Sequence, residues 1–170
     1  MAEPLRSDRL NLRPPVVDDA AAFACLLGCD EAGVMMTAEI PWPVTEEAER
    51  DWLAQRGGPD DHAYAIERRA TGDLVGCIGL IGASERPELG YWIGRDHRGQ
   101  GYATEAGRLI VGLARRLGAQ GLTADAFPEN AASARVLAKL GFISAGTVER
   151  DLPMRGGMRT LCHFELDLTH

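Results

Sequence analysis

Aromatic residues make up only 6% of this 170-residue sequence, and no stretch approaches the roughly 18 apolar residues that a membrane-spanning helix needs. A membrane span is therefore not expected. Nor does the opening MAEPLRSDRLNLR hold a continuous apolar stretch, so no signal peptide is expected there. Long runs of one charge sign are missing as well. The net charge of −7 is dispersed, the opposite of the basic, clustered footprint of nucleic-acid binding. Mild acidity suits a cationic substrate or partner, though it serves solubility equally.

Several chemical signatures are absent. The four cysteines, Cys25, Cys29, Cys77 and Cys162, match neither a zinc pair nor Cys-x-x-Cys, and they suggest no disulfide framework. They are expected to be small, mostly buried hydrophobes in a reducing cytoplasm. No H-E-x-x-H, no G-x-S-x-G nucleophile elbow and no G-x-x-x-x-G-K-[ST] loop occurs. The histidines, His62, His97, His163 and His170, are scattered. No metal is expected.

What is present is ordinary globular material, 45% apolar and 25% charged. A chain of this length is expected to form one domain over residues 1–170 and to bury about two-thirds of its unfolded surface without disulfide or metal. RLNLRP alternates and reads as a first strand stopped by Pro14-Pro15. VDDAAAFACLLG reads as a helix with Asp18 and Asp19 on its N-terminal dipole and Gly28 at its end. TEEAERDWLAQRGG has Thr45 as N-cap and Gly57-Gly58 as stop. HAYAIERR, LVGCIGLIG and ELGYWIG are strands. The longest helical pattern runs from Tyr102 to Leu117, followed by the strand LTADAF. ENAASARVLAKLG is a helix between Asn130 and Gly141, and FISAGTVER and TLCHFELDL are the last strands. This order predicts a mixed α/β, layered fold on a mostly antiparallel sheet of about seven strands.

One stretch asks for more than a structural explanation. GYWIGRDHRGQGYATEA sets Arg98-Gly99-Gln100-Gly101 between a strand and the longest helix. Glycine costs backbone entropy on folding, so a glycine pair here implies unusual angles or a close approach to the backbone. The first N–H groups of a helix have no partner within it and carry partial positive charge, which suits phosphate or pyrophosphate. Arg95 and Arg98 would add charge and Thr104 a hydroxyl, while a tight turn without ligand is the plain alternative. A dinucleotide fingerprint fails because Thr104 stands at its third glycine. Asp125 does mimic the ribose-binding acid, but too little chain follows it to complete a doubly wound sheet.

RGQGYA (Arg98 to Ala103) resembles the R-x-x-G-x-A acetyl-CoA motif of the GNAT N-acetyltransferases. SDRLNLRP, ELGYWI, RGQGYATEA and NAASARVLAKLGF occur in the order and spacing of the RimJ/RimL-like branch, which acetylates protein N-termini and related amines. The resemblance covers nearly the whole chain. It implies a GNAT-like fold, helices on both sheet faces, strands that splay at the cofactor site, and acetyl-CoA as cosubstrate. Backbone N–H groups of Arg98, Gly99, Gln100, Gly101, Tyr102 and Ala103 would hold the pyrophosphate, with Thr104 close by. The edge formed by Trp92, Ile93, Gly94 and Arg95 would pair with pantetheine, as an added strand pairs with a sheet. Asn130 would bond the pantetheine arm or nearby backbone; otherwise it is a plain N-terminal helix residue.

Acyl transfer to an amine needs a neutral amine, a protonated leaving thiolate and a stabilised oxyanion. Without a nucleophile elbow, direct attack in a ternary complex is simpler than an acyl-enzyme. The resemblance places Glu88 opposite the acceptor amine, acting as base through water, and Ser133 as acid. Their plain alternatives are a solvated strand-end carboxylate and an exposed helix serine. A thiol pKa near 8.5 makes the thiolate only mildly basic, so a weak acid or water suffices. At pH 7 an α-amine of pKa about 7.8 is roughly one-seventh neutral, and a free lysine is under about 0.1% neutral. One plausible carboxylate with no histidine beside it therefore favours an α-amine, as does the acidic balance. Met35, Trp42 and Trp92 are candidates for an acceptor wall, although apolar residues are more often core.

The expected activity is acetyl-CoA-dependent acetylation of a protein or peptide N-terminus in the cytoplasm. A small amine (an antibiotic, a polyamine or an amino acid) is the nearest alternative acceptor. A non-catalytic acetyl-CoA sensor is the alternative of a different class, disfavoured by the presence of Glu88 and Ser133 beside an intact turn. The resemblance allows a homodimer, and LCHFELDL has an alternating face that either meets a second copy or completes the sheet.

Overall fold

A computed structural model describes residues 3–170. Among them, eight strands form one sheet: β1 (Leu5–Arg6), β2 (Leu10–Arg13), β3 (His62–Arg68), β4 (Leu74–Ile81), β5 (Glu88–Ile93), β6 (Gly121–Ala126), β7 (Ile143–Leu152) and β8 (Gly157–Asp167). The spatial order is β1-β2-β3-β4-β5-β6-β8-β7, and every pairing is antiparallel except β5 with β6. Five α-helices are described: α1 (Ala20–Gly28), α2 (Glu31–Val34), α3 (Glu46–Ala54), α4 (Tyr102–Arg116) and α5 (Ala131–Leu140).

Strand alternation divides the buried side chains between two layers. On β3, Tyr64 and Ile66 join Leu10, Leu12, Ile78 and Leu122 under Ala106 and Ile110 of α4. Ala65, between them, points to the other face and meets Phe23 of α1, Leu53 of α3 and Cys77 of β4. Helices therefore cover both faces. A third apolar cluster, Phe127, Leu152 and Leu161, lies beside Met36 and Ala38.

Local signals account for most helix ends. Thr45 accepts from the Ala48 N–H and starts α3, and Asn130 accepts from the Ser133 N–H and starts α5. Gly141 closes α5 in the left-handed conformation, at φ +95°. Other boundaries differ from expectation. The sheet has eight strands rather than seven, because β1 is two residues long and too short to show alternation. Asp18 and Asp19 fall in a 3-10 turn (Val17–Asp19) ahead of α1, and α3 stops at Ala54 before the glycine pair. The single turn α2 comes from Asp30, whose side chain accepts from the Gly33 N–H.

The cysteines depart from expectation more clearly. Only Cys77 is buried; Cys25 and Cys29 are exposed and Cys162 is half-buried. In the apolar helix α1 only Ala20, Phe23 and Leu27 are buried. These sit three and four residues apart on one stripe, and Cys25 lies off that stripe. Cys29 is the residue just past the helix end.

Candidate active site

The two parallel strands β5 and β6 share one register pair, Glu88 with Thr123, supported by the Thr123 N–H donating to the Pro87 carbonyl. Beyond this pair the strands carry no further register partners, so the sheet opens towards their C-terminal ends. That opening leads to the glycine turn. Gly99 and Gly101 have φ +73° and +82°, left-handed angles that explain why glycine stands at both positions. Gly101 is the N-cap of α4 and offers no side chain, whereas α2, α3 and α5 are capped by Asp30, Thr45 and Asn130. The first N–H groups of the longest helix thus have no side-chain cap, and Thr104 is buried in its first turn.

The two arginines expected to supply charge at this turn point elsewhere. The Arg98 guanidinium pairs with the buried Asp30 and donates through Nε to the Ile93 carbonyl at 3.0 Å. Arg95 donates to the Cys29 carbonyl at 3.0 Å. Both tie the turn to the end of α1 and the start of α2. The cation at the turn is Arg9, which the sequence did not single out. Its guanidinium donates to the Gln100 carbonyl at 2.8 Å, pairs with Glu105 at 2.6 Å and stacks 4.8 Å from the Tyr102 ring centre. Gln100 donates weakly to the Asp96 carbonyl at 3.4 Å. On the expected pantetheine edge, the Gly94 N–H already donates to Val75 of β4, and Trp92 packs edge-on to Phe23, with ring centres 5.2 Å apart.

Leu89 and Ile93 point into the α4 layer, so Glu88 lies on the opposite face, and Asp125 shares that face because Leu122 and Ala124 point to α4. Arg150 of β7 reaches across β8 and β6. Its Nη1 donates to Glu88 Oε2 at 3.0 Å and to Asp125 Oδ2 at 2.7 Å. The hydrogen bond from Arg150 to Asp125, then the one to Glu88, raises the guanidinium pKa against the opposing effect of burial. Asp125 Oδ1 sits 2.6 Å from His163 Nδ1, and His163 Nε2 is 3.5 Å from Glu165 Oε1. Glu88 is therefore not a solitary carboxylate without a neighbouring histidine, as the sequence suggested. Residues distant in the chain are gathered by the β6–β8 and β7–β8 registers, which pair Asp125 with His163 and Arg150 with Arg159.

On the other face, Ser133 Oγ lies 2.9 Å from the Tyr91 hydroxyl, linking α5 to β5 across the opening. Burial pushes the Tyr91 phenol above its ordinary pKa, with the Ser133 hydrogen bond acting in the other direction. Tyr91 went unnoticed because an aromatic residue within a strand pattern reads as core.

The segment between α2 and α3 is held by Arg155, a buried residue of the turn between β7 and β8. Its guanidinium donates to the carbonyls of Thr37 at 2.8 Å, Val34 at 2.6 Å and Ile40 at 2.7 Å. Burial lowers the Arg155 pKa, and the nearby Arg159 charge adds to that. Met36 and Ala38, rather than Met35, meet the third apolar cluster. A cleft of about 530 Å³ involving His62, Leu80 and Leu117 lies at the opposite end of α4, away from the glycine turn. Among the described residues, no cluster of three or more His, Cys, Asp and Glu is placed to hold a metal ion, and no helix is long and apolar enough to cross a membrane.

The chain and its fold resemble known proteins. An uncharacterised N-acetyltransferase of Bacillus subtilis (strain 168), YoaA, is 30% identical over 162 residues, covering 89% of both chains. The structure resembles the ribosomal-protein-S5-alanine acetyltransferase of Vibrio fischeri with a TM-score of 0.81 at 16% identity, covering 99% of this chain and 98% of that one. It also resembles the microcin C7 self-immunity acetyltransferase MccE, solved in complex with acetyl-CoA and AMP, with a TM-score of 0.79 at 16% identity and coverage of 95% and 94%. At such identities the likeness shows the fold. The acetyltransferase (GNAT) domain family matches residues 9–143, and with that match the chain belongs to the GNAT acetyltransferases.

Proposed function

We propose that this enzyme transfers the acetyl group of acetyl-CoA to the α-amine of a protein or peptide N-terminus, by direct attack in a ternary complex. The observation that carries this reading is the position of Glu88. It stands where β5 and β6 part and on the sheet face opposite α4, so a carboxylate borders the opening that receives the pantetheine arm. Acetyl-CoA supplies the activated acetyl group. The uncapped N–H groups of α4, from Gly101 onward, hold the pyrophosphate, and Thr104 and Asn130 lie beside its path. Glu88 accepts the proton from the attacking amine through water, and Ser133, backed by Tyr91, returns a proton to the departing thiolate.

The acceptor reading cannot rest on a lone carboxylate, since Asp125 and His163 accompany Glu88. It rests instead on charge. Glu88 and Asp125 share a single guanidinium, Arg150, and Glu165 lies against His163 in the same network, so carboxylates outnumber the fixed cation, which favours an acceptor that arrives as an ammonium group. A ribosomal-protein acetyltransferase among the similar structures points the same way. The reading places the activity in the cytoplasm.

Release of CoA by the purified protein, with N-terminal peptides and small amines offered in parallel, tests the proposal. Preference for peptide N-termini supports it. Preference for a small amine reassigns the acceptor, and acetyl-CoA binding without turnover by any acceptor favours a sensor.

A further inference from the structure

We propose that Arg150 is a positioning residue for the base, holding Glu88 and Asp125 on one guanidinium nitrogen so that the remaining Glu88 oxygen meets the acceptor. The inference rests on the reading of Glu88 as base. Among the described residues, Glu88 Oε2 is engaged by Arg150 at 3.0 Å, and Oε1 has no protein partner. A glutamate at a strand end has three rotatable side-chain bonds, and a cation on one oxygen removes most of that freedom. Misplacement of a reacting group by about 1 Å can cost on the order of 100-fold in rate, so this restraint has catalytic weight.

Arg150 is itself held. Asp125, with a side chain 9% exposed, takes Arg150 on Oδ2 at 2.7 Å and His163 on Oδ1 at 2.6 Å, so both its oxygens are directed. Arg159, paired with Arg150 across β7 and β8, has other partners: the Arg155 carbonyl at 3.2 Å, Glu129 at 3.8 Å and the Phe127 ring. It does not compete for Glu88. Arg150 also screens two carboxylates that would otherwise repel across the gap.

A double-mutant cycle on the full chain tests this, using Glu88→Gln, Arg150→Met and the pair, with Arg150→Lys and Asp125→Asn alongside. The readouts are kcat, the acceptor KM and the acetyl-CoA Kd. Arg150→Met should lower kcat about 10- to 100-fold at unchanged acetyl-CoA Kd, and should add little once Glu88 is already Gln. Arg150→Lys should restore part of kcat, and Asp125→Asn, which keeps the side-chain shape, should give a smaller loss. Losses that multiply in the double variant would show that Arg150 acts independently of Glu88 and overturn the positioning role. A rise confined to acceptor KM would make Arg150 a binding residue instead. Full kcat in Glu88→Gln alone would overturn the base reading and the positioning role with it.

Discussion

The Tyr91 hydroxyl and Ser133 Oγ lie 2.9 Å apart and join the strand and helix that flank the opening in the sheet. A phenol is protonated at neutral pH even at its ordinary pKa of about 10, and burial pushes it further up, so the pair holds protons and can donate one. Because a thiolate is a mildly basic leaving group, Ser133→Ala is expected to lower kcat by only about tenfold, near the small end of general acid effects. Tyr91→Phe should lower it comparably and cost about 1 kcal/mol of stability for the lost hydrogen bond. Steady-state kinetics with a denaturation curve for each variant checks this. Unchanged kcat in both would reduce the pair to a structural bridge.

Gly101 combines a left-handed backbone with the N-cap of α4. Gly101→Glu puts a carboxylate where the pyrophosphate is expected and should abolish acetyl-CoA binding in calorimetry. Gly101→Ala should be milder. Its Cβ would meet Arg9 Nη2 at 3.4 Å, an ordinary contact, so the cost is the left-handed angle, about 1–2 kcal/mol. Normal acetyl-CoA affinity in Gly101→Glu would mean that the turn does not hold the phosphates.

Thr45 and Asn130 cap α3 and α5 in the same manner, accepting at 3.1 Å from the N–H three residues on. Alanine at either should cost about 1 kcal/mol, or roughly 2–4 °C in Tm for a chain of this size. Only Asn130→Ala should also raise the KM for acetyl-CoA. Equal kinetics in the two variants would leave Asn130 a cap and nothing more.

Arg13 grips Asp19 with two bonds of 2.8 Å. Burial by itself would raise the Asp19 pKa, but the Arg13 bonds, the Val16 N–H and the Arg13 charge outweigh it and hold the carboxyl below its usual range. A depressed folded pKa adds stability that is present above the unfolded value and lost as pH falls through the folded one. Urea midpoints should therefore drop below about pH 4. Asp19→Asn should cost about 2 kcal/mol at pH 7 and flatten that acid limb. An acid limb identical to wild type would assign it to other carboxylates.

Thiol reactivity should follow exposure. Cys25 and Cys29 should react quickly with an aromatic disulfide in the native protein, Cys162 more slowly. Cys77 should react only on unfolding, since burial pushes its pKa up to about 12. Mass mapping of the labelled sites distinguishes the four, and fast labelling of Cys77 would contradict the packing of α1 and α3 over β4.

Much of the fold was legible along the chain. Leu10 and Leu12 showed the alternation of β2, Asn130 and Gly141 bracketed α5, and Gly99 and Gly101 marked a turn with left-handed angles. Such signals act within a few residues, where backbone sterics and hydrogen bonding decide the outcome. The two-residue β1 and the one-turn α2 were illegible because neither is long enough to display a period.

Side-chain partnerships in the candidate site were not legible at all. The Arg98 side chain was expected to add charge at the phosphate turn, yet its guanidinium reaches Asp30, 68 positions away. Arg150 meets Glu88 at a separation of 62 residues and Asp125 at 25. The sequence by itself determined the strand and helix pattern and the glycine turn, through local periodicity and turn chemistry. Only the tertiary structure decided which charges meet, because strand register and sheet order bring together atoms that no local pattern relates.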